Sequence, residues 1–286
     1  MKIFLSFIII FLLLISVAIP IDSHAMQLQN EAFDRSMIAF GIAKSLNAII
    51  SLIQGTELSI TPVGLGLTLS VGEVLDPLND MVERFSWVML LSTISLGIQK
   101  LLLIVSAKLF VQIMLFVSGT VTLGIVWYKK LHQSKFFSYS LKLFILLLFL
   151  RFSAVMFIYF SQFTYTTILQ NEYEQSLQVV ESTKLELQEY QHQNTQKMQQ
   201  DESFFDSLKK SYDSSLESLN ISKQIESLEQ KTDKAFGNIV TLITIFVVQS
   251  IILPLVYIWL IVLSLKFIFK KELKFDTLKN MYTYNQ

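Results

Sequence analysis

Two polar side chains break otherwise apolar runs of this chain, and chemistry would begin with them. Arg151 stands in the middle of LKLFILLLFLRFSAVMFIYF, and Gln249 lies near the middle of NIVTLITIFVVQSIILPLVYIWLIVLSL. A guanidinium surrounded by hydrocarbon is costly, so it marks either an assembly contact or a polar path through a membrane. The runs 108–128, 142–160 and 238–265 hold no Asp or Glu. An Arg151–Gln249 hydrogen bond is therefore the expected intramolecular contact, with backbone carbonyls or water as the alternative.

A second constellation is acidic. Glu73, Asp76, Asp80 and Glu83 step by 3, 4 and 3, so a continuous helix would carry all four carboxylates on one face. Clustered carboxylates can hold a hard cation. This spacing is not that of a calcium-binding loop, and a solvated acidic face is the expected reading, with no metal or other cofactor. Other catalytic equipment is missing from the sequence. The chain has no Cys, and its three His are scattered at His24, His132 and His192. No H-E-x-x-H, G-x-S-x-G or Gly-rich phosphate loop occurs. No basic face interleaved with aromatics points to nucleic acid. The expected class is not an enzyme.

The elements that position these residues can be read from how charge is sorted. Lys and Arg total 23, and Asp and Glu total 23, but the signs are segregated along the chain. Residues 129–142 hold four Lys and no acid, and 266–286 hold five Lys against Glu272 and Asp276. Residues 161–236 hold 13 acids against seven Lys. Short cytoplasmic loops retain Lys and Arg whereas segments on the far side do not. Hydrophobic residues make up 52% of the chain and only 16% are charged, which is the composition of a membrane protein.

The topology follows from that sorting. Residues 1–25 read as a signal peptide: Lys2, an apolar core from Ile3 to Ile19, Pro20, and small residues Ser23 and Ala25 before a cleavage point near Met26. The rival reading is an uncleaved anchor. Residues 26–84 form a small extracytoplasmic region. It comprises a helix to about Gly55, carrying Phe33, Met37, Phe40, Leu46, Ile49, Ile50 and Ile53, and a hairpin or extended loop over 56–72. A further helix then starts at the Ser70–Glu73 capping box or at Asp76-Pro77.

Residues 85–107 are read as an interfacial or re-entrant helix. A crossing there would invert the sides of the Lys-rich and acidic segments, and Gln99 and Lys100 interrupt the run. Transmembrane helices follow at 108–128 and 142–160, joined by a cytoplasmic loop at 129–141, and a third at 238–265 leads to a cytoplasmic tail at 266–286. Pro254 is expected to kink the third span.

Residues 161–236 contain neither Pro nor Gly. Tyr173, Leu177, Val180, Lys184, Leu187, Gln191, Asn194 and Met198 step by 4 and 3, and Ile221, Ile225, Leu228, Thr232 and Ala235 do so again. An antiparallel coiled-coil hairpin turning near 201–203 is expected, which would bring Tyr173 beside Thr232 and Met198 beside Phe205.

One segment carries a family likeness. Residues 70–103, through G-E-V-L-D-P-L-N-D and the following E-R-F-S-W, resemble part of a group of bacterial inner-membrane proteins to which no activity is attached. The resemblance implies a bacterial inner membrane with periplasm outside it, and carries over no functional residue. The expected fold is an all-α membrane protein with three transmembrane helices, an interfacial helix and a periplasmic hairpin. The expected function is that of a scaffold or interaction subunit, contacting membrane lipid and either another envelope protein or a copy of itself as a homo- or hetero-oligomer. A channel or transporter subunit, with Arg151 and Gln249 on an aqueous path, is the alternative.

Overall fold

The computed structural model describes residues 2–18, 21–57, 71–128, 135–200 and 214–270, and apart from Ala107, Lys108 and Tyr128 these are all helical. In chain order these are α1 (Lys2–Ala18), α2 (Ile21–Glu57), α3 (Val71–Ser106), α4 (Leu109–Trp127), α5 (Lys135–Thr164), α6 (Gln170–Gln200), α7 (Ser214–Val247) and α8 (Leu253–Lys270). Two five-residue π-helical turns join consecutive helices, Tyr165–Leu169 between α5 and α6 and Val248–Ile252 between α7 and α8. By length and composition, five helical stretches could each cross a membrane: Ile21–Gln54, Leu75–Ser106, Leu109–Trp127, Lys135–His192 and Gln230–Lys270. The apolar helix Lys2–Ser16 is shorter.

Contacts divide the chain into two compact units. The first comprises Met1–Phe33, Ser95–Tyr165 and Gln249–Gln286, the second Asp34–Ile94 and Thr166–Val248.

In the first unit α1 runs antiparallel to α4. Trp127 Nε1 donates to Ser6 Oγ at 3.1 Å, while Leu13 lies over Gly119. The absence of a side chain at Gly119 makes this approach possible, because a Cβ there would come within 2.9 Å of Leu13 Cδ1 and 3.1 Å of Phe144 Cε2. Helices α4 and α5 are likewise antiparallel, with the Thr122 and Ser140 hydroxyls 2.8 Å apart. Helix α8 lies antiparallel to α5, where Tyr257 Oη donates to the Ser153 carbonyl and Lys142 Nζ to the Phe269 carbonyl, both at 2.9 Å. Leu5, Val126, Phe137 and Leu141 close one end of this packing, and Ile9, Leu13, Leu115 and Phe144 fill the layer above it. Large apolar side chains stay exposed on every one of these helices, among them Phe7, Phe116, Leu150 and Trp259. An outward apolar surface of this kind is what hydrocarbon solvates.

In the second unit α2 and α3 are antiparallel, tied by Thr93 Oγ1 to Ser36 Oγ at 3.1 Å and by Gln54 Nε2 to Asp76 Oδ1 at 2.6 Å. The apolar residues whose spacing predicted this helix included Phe33, Met37 and Phe40. The buried residues of α2 there are Ala32, Ser36, Ala39, Ile42 and Ala43, while Phe33 and Phe40 are half-buried and Met37 is exposed. Small residues let two backbones approach closely, which large ones on that face would prevent. Leu46, Ile49, Ile50 and Ile53 are buried as expected.

Helices α6 and α7 form the second antiparallel pair. Tyr173 meets the Phe246 ring edge-on with centroids 5.8 Å apart, and Lys231 Nζ lies 2.8 Å from Glu186 Oε2. Both pairs are centred close to residue 209. The register therefore differs from the one expected, since Phe246 rather than Thr232 faces Tyr173. The expected turn at 201–203 lies outside the described residues. Among the described side chains of α6, burial falls at Tyr173, Ser176, Val180, Thr183 and Leu187, which step by 3 and 4 as the seam requires, while those of Asn194 and Met198 lie outside the described residues. Ser176 and Thr183 take the places that Leu177 and Lys184 were expected to hold. Among the described side chains of α7, from residue 230 on, the buried ones are Thr232, Ala235, Ile239, Leu242, Ile245 and Phe246.

Of the two starts expected for α3, the Ser70–Glu73 capping box agrees with its first residue, Val71, and Pro77 lies inside the helix. Residues 85–107 are the continuation of that helix, which runs unbroken through Gln99 and Lys100 to Ser106. The expected loop 129–141 is already helical from Lys135. The expected hairpin or extended loop over 56–72 falls mostly outside the described residues.

Candidate functional site

Arg151 is 2% exposed and is held by α2, not by the helix that carries Gln249. Its Nη1 donates to Asp22 Oδ1 at 2.7 Å and its Nη2 to Asp22 Oδ2 at 2.5 Å. Nη2 also reaches the Ser16 carbonyl at 3.4 Å. Two parallel bonds between a planar guanidinium and a carboxylate make the strongest side-chain pairing available to Arg. The Arg151–Gln249 hydrogen bond expected from the sequence is not formed.

The chain builds this pair locally. Pro20 separates α1 from α2, and Asp22 falls in the first turn of α2, where unpaired backbone N–H groups favour a carboxylate. Ser16 lies in the last turn of α1, so its carbonyl has no helical donor of its own and can accept from Arg151. One turn beyond the pair along α2 and α5, Ala25 packs in one cluster with Leu103 of α3 and with Val155 and Ile158 of α5. The Phe152 ring lies 5.3 Å from the guanidinium carbon. The Arg151 Nε and Ser16 Oγ atoms are buried without a hydrogen-bond partner.

Gln249 is also buried, on the π-helical turn before α8, beside buried Ser250. The sequence reading placed Gln249 near a span midpoint, and the structure puts it where the helix is rewound.

The acidic residues do share the continuous helix α3, and Asp76, Asp80 and Glu83 are exposed. The side chain of Glu73 lies outside the described residues. Asp76 accepts from Gln54. Among the described residues no group of three His, Cys, Asp or Glu side chains is arranged to hold a metal ion.

The residue that sequence reasoning missed is Asp22. The signal was present: a buried Arg with no acid in its own span calls for a carboxylate at the end of some other apolar run, and Asp22 follows the first such run. Assigning 1–25 to a removable peptide took it out of consideration. Compared with protein-family models, curated proteins and solved structures, the chain shows no match.

Proposed function

We propose that this chain is a multi-pass protein of a bacterial inner membrane that acts as a non-enzymatic scaffold, its α6–α7 arms docking another envelope protein or a second copy. Helices α4, α5 and α8 are its membrane spans. At ~1.5 Å per residue, the 19 residues of α4 reach across most of a ~30 Å hydrocarbon core.

The observation that carries the reading is the gathering of charge at one end of these helices. Antiparallel packing brings Lys135 and Lys142 of α5 to the same end as Lys266 and Lys270 of α8 and Lys2 of α1, with Lys108 at the opposite end of α4. That end is cytoplasmic by the distribution of Lys and Arg. The α6–α7 arms then lie in the periplasm, where their polar seam supports docking. Ser176, Thr183 and Thr232 occupy buried positions that Leu or Ile would fill in a self-sufficient pair. Leu185 stands 56% exposed on α6 as an apolar contact for a partner helix.

The channel reading draws on buried Gln249 and Ser250 at a π-helical turn, a feature frequent at functional sites. It loses its main charge, because Arg151 is neutralised by Asp22.

Single Cys residues at Ser134, Gln193 and Asn285, labelled in intact cells with an impermeant maleimide, test the topology. Only Gln193→Cys should react. Leu185→Cys under oxidation tests the docking surface: it should give either a homodimer of twice 32.9 kDa or a discrete mixed adduct. A protein that stays monomeric and unlinked at every arm position would end the scaffold reading.

A further inference from the structure

We propose that residues 1–25 stay in the working protein, and that Asp22 supplies the counter-charge on which burial of Arg151 depends. Helix α1 is then a permanent fourth span, latched to α5 by the ion pair.

Four independent contacts carry this. The first is the pair itself, with Arg151 2% exposed and both guanidinium Nη atoms committed to Asp22. Cleavage near Met26 would remove that carboxylate and leave a buried cation unpaired. Losing one partner of a buried pair is strongly destabilising, because the remaining charge is neither solvated nor compensated. The second is Gly119, whose bare Cα leaves room for Leu13 and would otherwise face a gap between α4 and α5. The third is Trp127, which gives its indole N–H to Ser6. The fourth is the presumed cleavage site. Ser23, His24 and Ala25 lie inside α2 rather than in an extended segment, and Ala25 is fully buried against Leu103 and Val155.

Lengths agree with this arrangement. Arg151 lies 16 residues beyond Lys135, about 24 Å along α5. Ser16 lies 14 residues beyond Lys2, about 21 Å along α1. Measured from the Lys-bearing first turn of each helix, the two residues lie at matching levels, where α1 ends and α2 begins. A charge buried within a span is costly alone and far less so when neutralised by a bidentate partner.

The proposal rests on the membrane reading of α4, α5 and α8, and the test separates the two. Membranes containing the full chain are washed at alkaline pH, and the retained protein is purified in mild detergent and weighed intact by mass spectrometry. Retention with residues 1–25 present supports the latch. Retention of a chain that begins at Met26 overturns the latch and leaves the membrane reading standing, whereas release by the wash overturns both.

Charge variants then test dependence. Asp22→Asn alone and Arg151→Gln alone should each lower the folded-to-unfolded ratio in a detergent denaturation series at least about tenfold. The combined Asp22→Asn/Arg151→Gln chain should lose less than the sum of the two, since neither charge is then left alone. Simple additivity, or an Asp22→Asn chain indistinguishable from the parent, would overturn the latch. The double variant keeps the question open to measurement even if one single variant fails to accumulate.

Discussion

The Ser95 hydroxyl donates to the Ser250 carbonyl at 2.5 Å, four residues before Pro254. Pro254 has no N–H, so the carbonyl four residues earlier loses its helical donor, and its ring crowds that same carbonyl. The π-helical turn Val248–Ile252 relieves the crowding, and Ser95 on α3 donates to that carbonyl. Gln99, one turn along α3, donates its Nε2 to Ser95 Oγ at 3.4 Å. In this way a proline on one helix creates an acceptor that specifies a hydroxyl on another.

Ser95→Ala should therefore cost about 1 kcal/mol, the net worth of the hydrogen bond it removes. Restoring the helical donor with Pro254→Ala should reduce that cost. The measurement is a double-mutant cycle by thermal unfolding in detergent. A coupling energy of zero between positions 95 and 254 would show that the hydroxyl and the proline act separately.

Gly119 gives a steric prediction. Gly119→Ala places a methyl 2.9 Å from Leu13 Cδ1 and 3.1 Å from Phe144 Cε2, so the α1–α4–α5 packing must open. Overpacking of this kind costs about 1–3 kcal/mol. Leu13→Ala added to Gly119→Ala should recover part of the loss, while Leu13→Ala alone destabilises by leaving a cavity. Resistance to heat in mild detergent reads both effects, and two losses that simply add would mean that Leu13 and Gly119 do not touch.

The acidic face of α3 should be silent. Asp80→Asn with Glu83→Gln removes two exposed charges, and the expected change in stability is within about 0.5 kcal/mol. Added Ca²⁺ should shift the melting temperature of the parent and the variant equally. A calcium-dependent rise that only the parent shows would mark a cation site.

How much of this was legible in the sequence depended on which force set each feature. Helix existence and the ends of α4 came through, since LFVQIMLFVSGTVTLGIVW is apolar throughout and is followed by Tyr128 and lysines. The apolar spacing of α2 marked the helix without marking its inner face. Between close-packed helices Ala32, Ala39 and Ala43 go inside, and Met37 stays out. The acidic helix face was legible because three- and four-residue spacing needs only a continuous helix. The Arg151 partner was not, since it depends on the fate of the first 25 residues, a matter of packing rather than of local pattern. The arm register also failed. A seam of 3 and 4 steps repeats every seven residues, so it fixes which face is buried and leaves the pairing free to slide by whole heptads.

That register is the last point open to direct test. Glu186 and Lys231 are 2.8 Å apart at half-exposed positions, so both tolerate replacement, and the chain has no native Cys to compete. Glu186→Cys with Lys231→Cys should form a disulfide rapidly under mild oxidation. Tyr173→Cys with Thr232→Cys should not, because Tyr173 faces Phe246, and Thr232 lies 14 residues along α7, about 21 Å away. Crosslinking is read by reducing and non-reducing electrophoresis, using intramolecular mobility shifts to separate it from dimerisation. Efficient closure of 173/232 with none at 186/231 would shift α7 by two heptads and return the turn to 201–203.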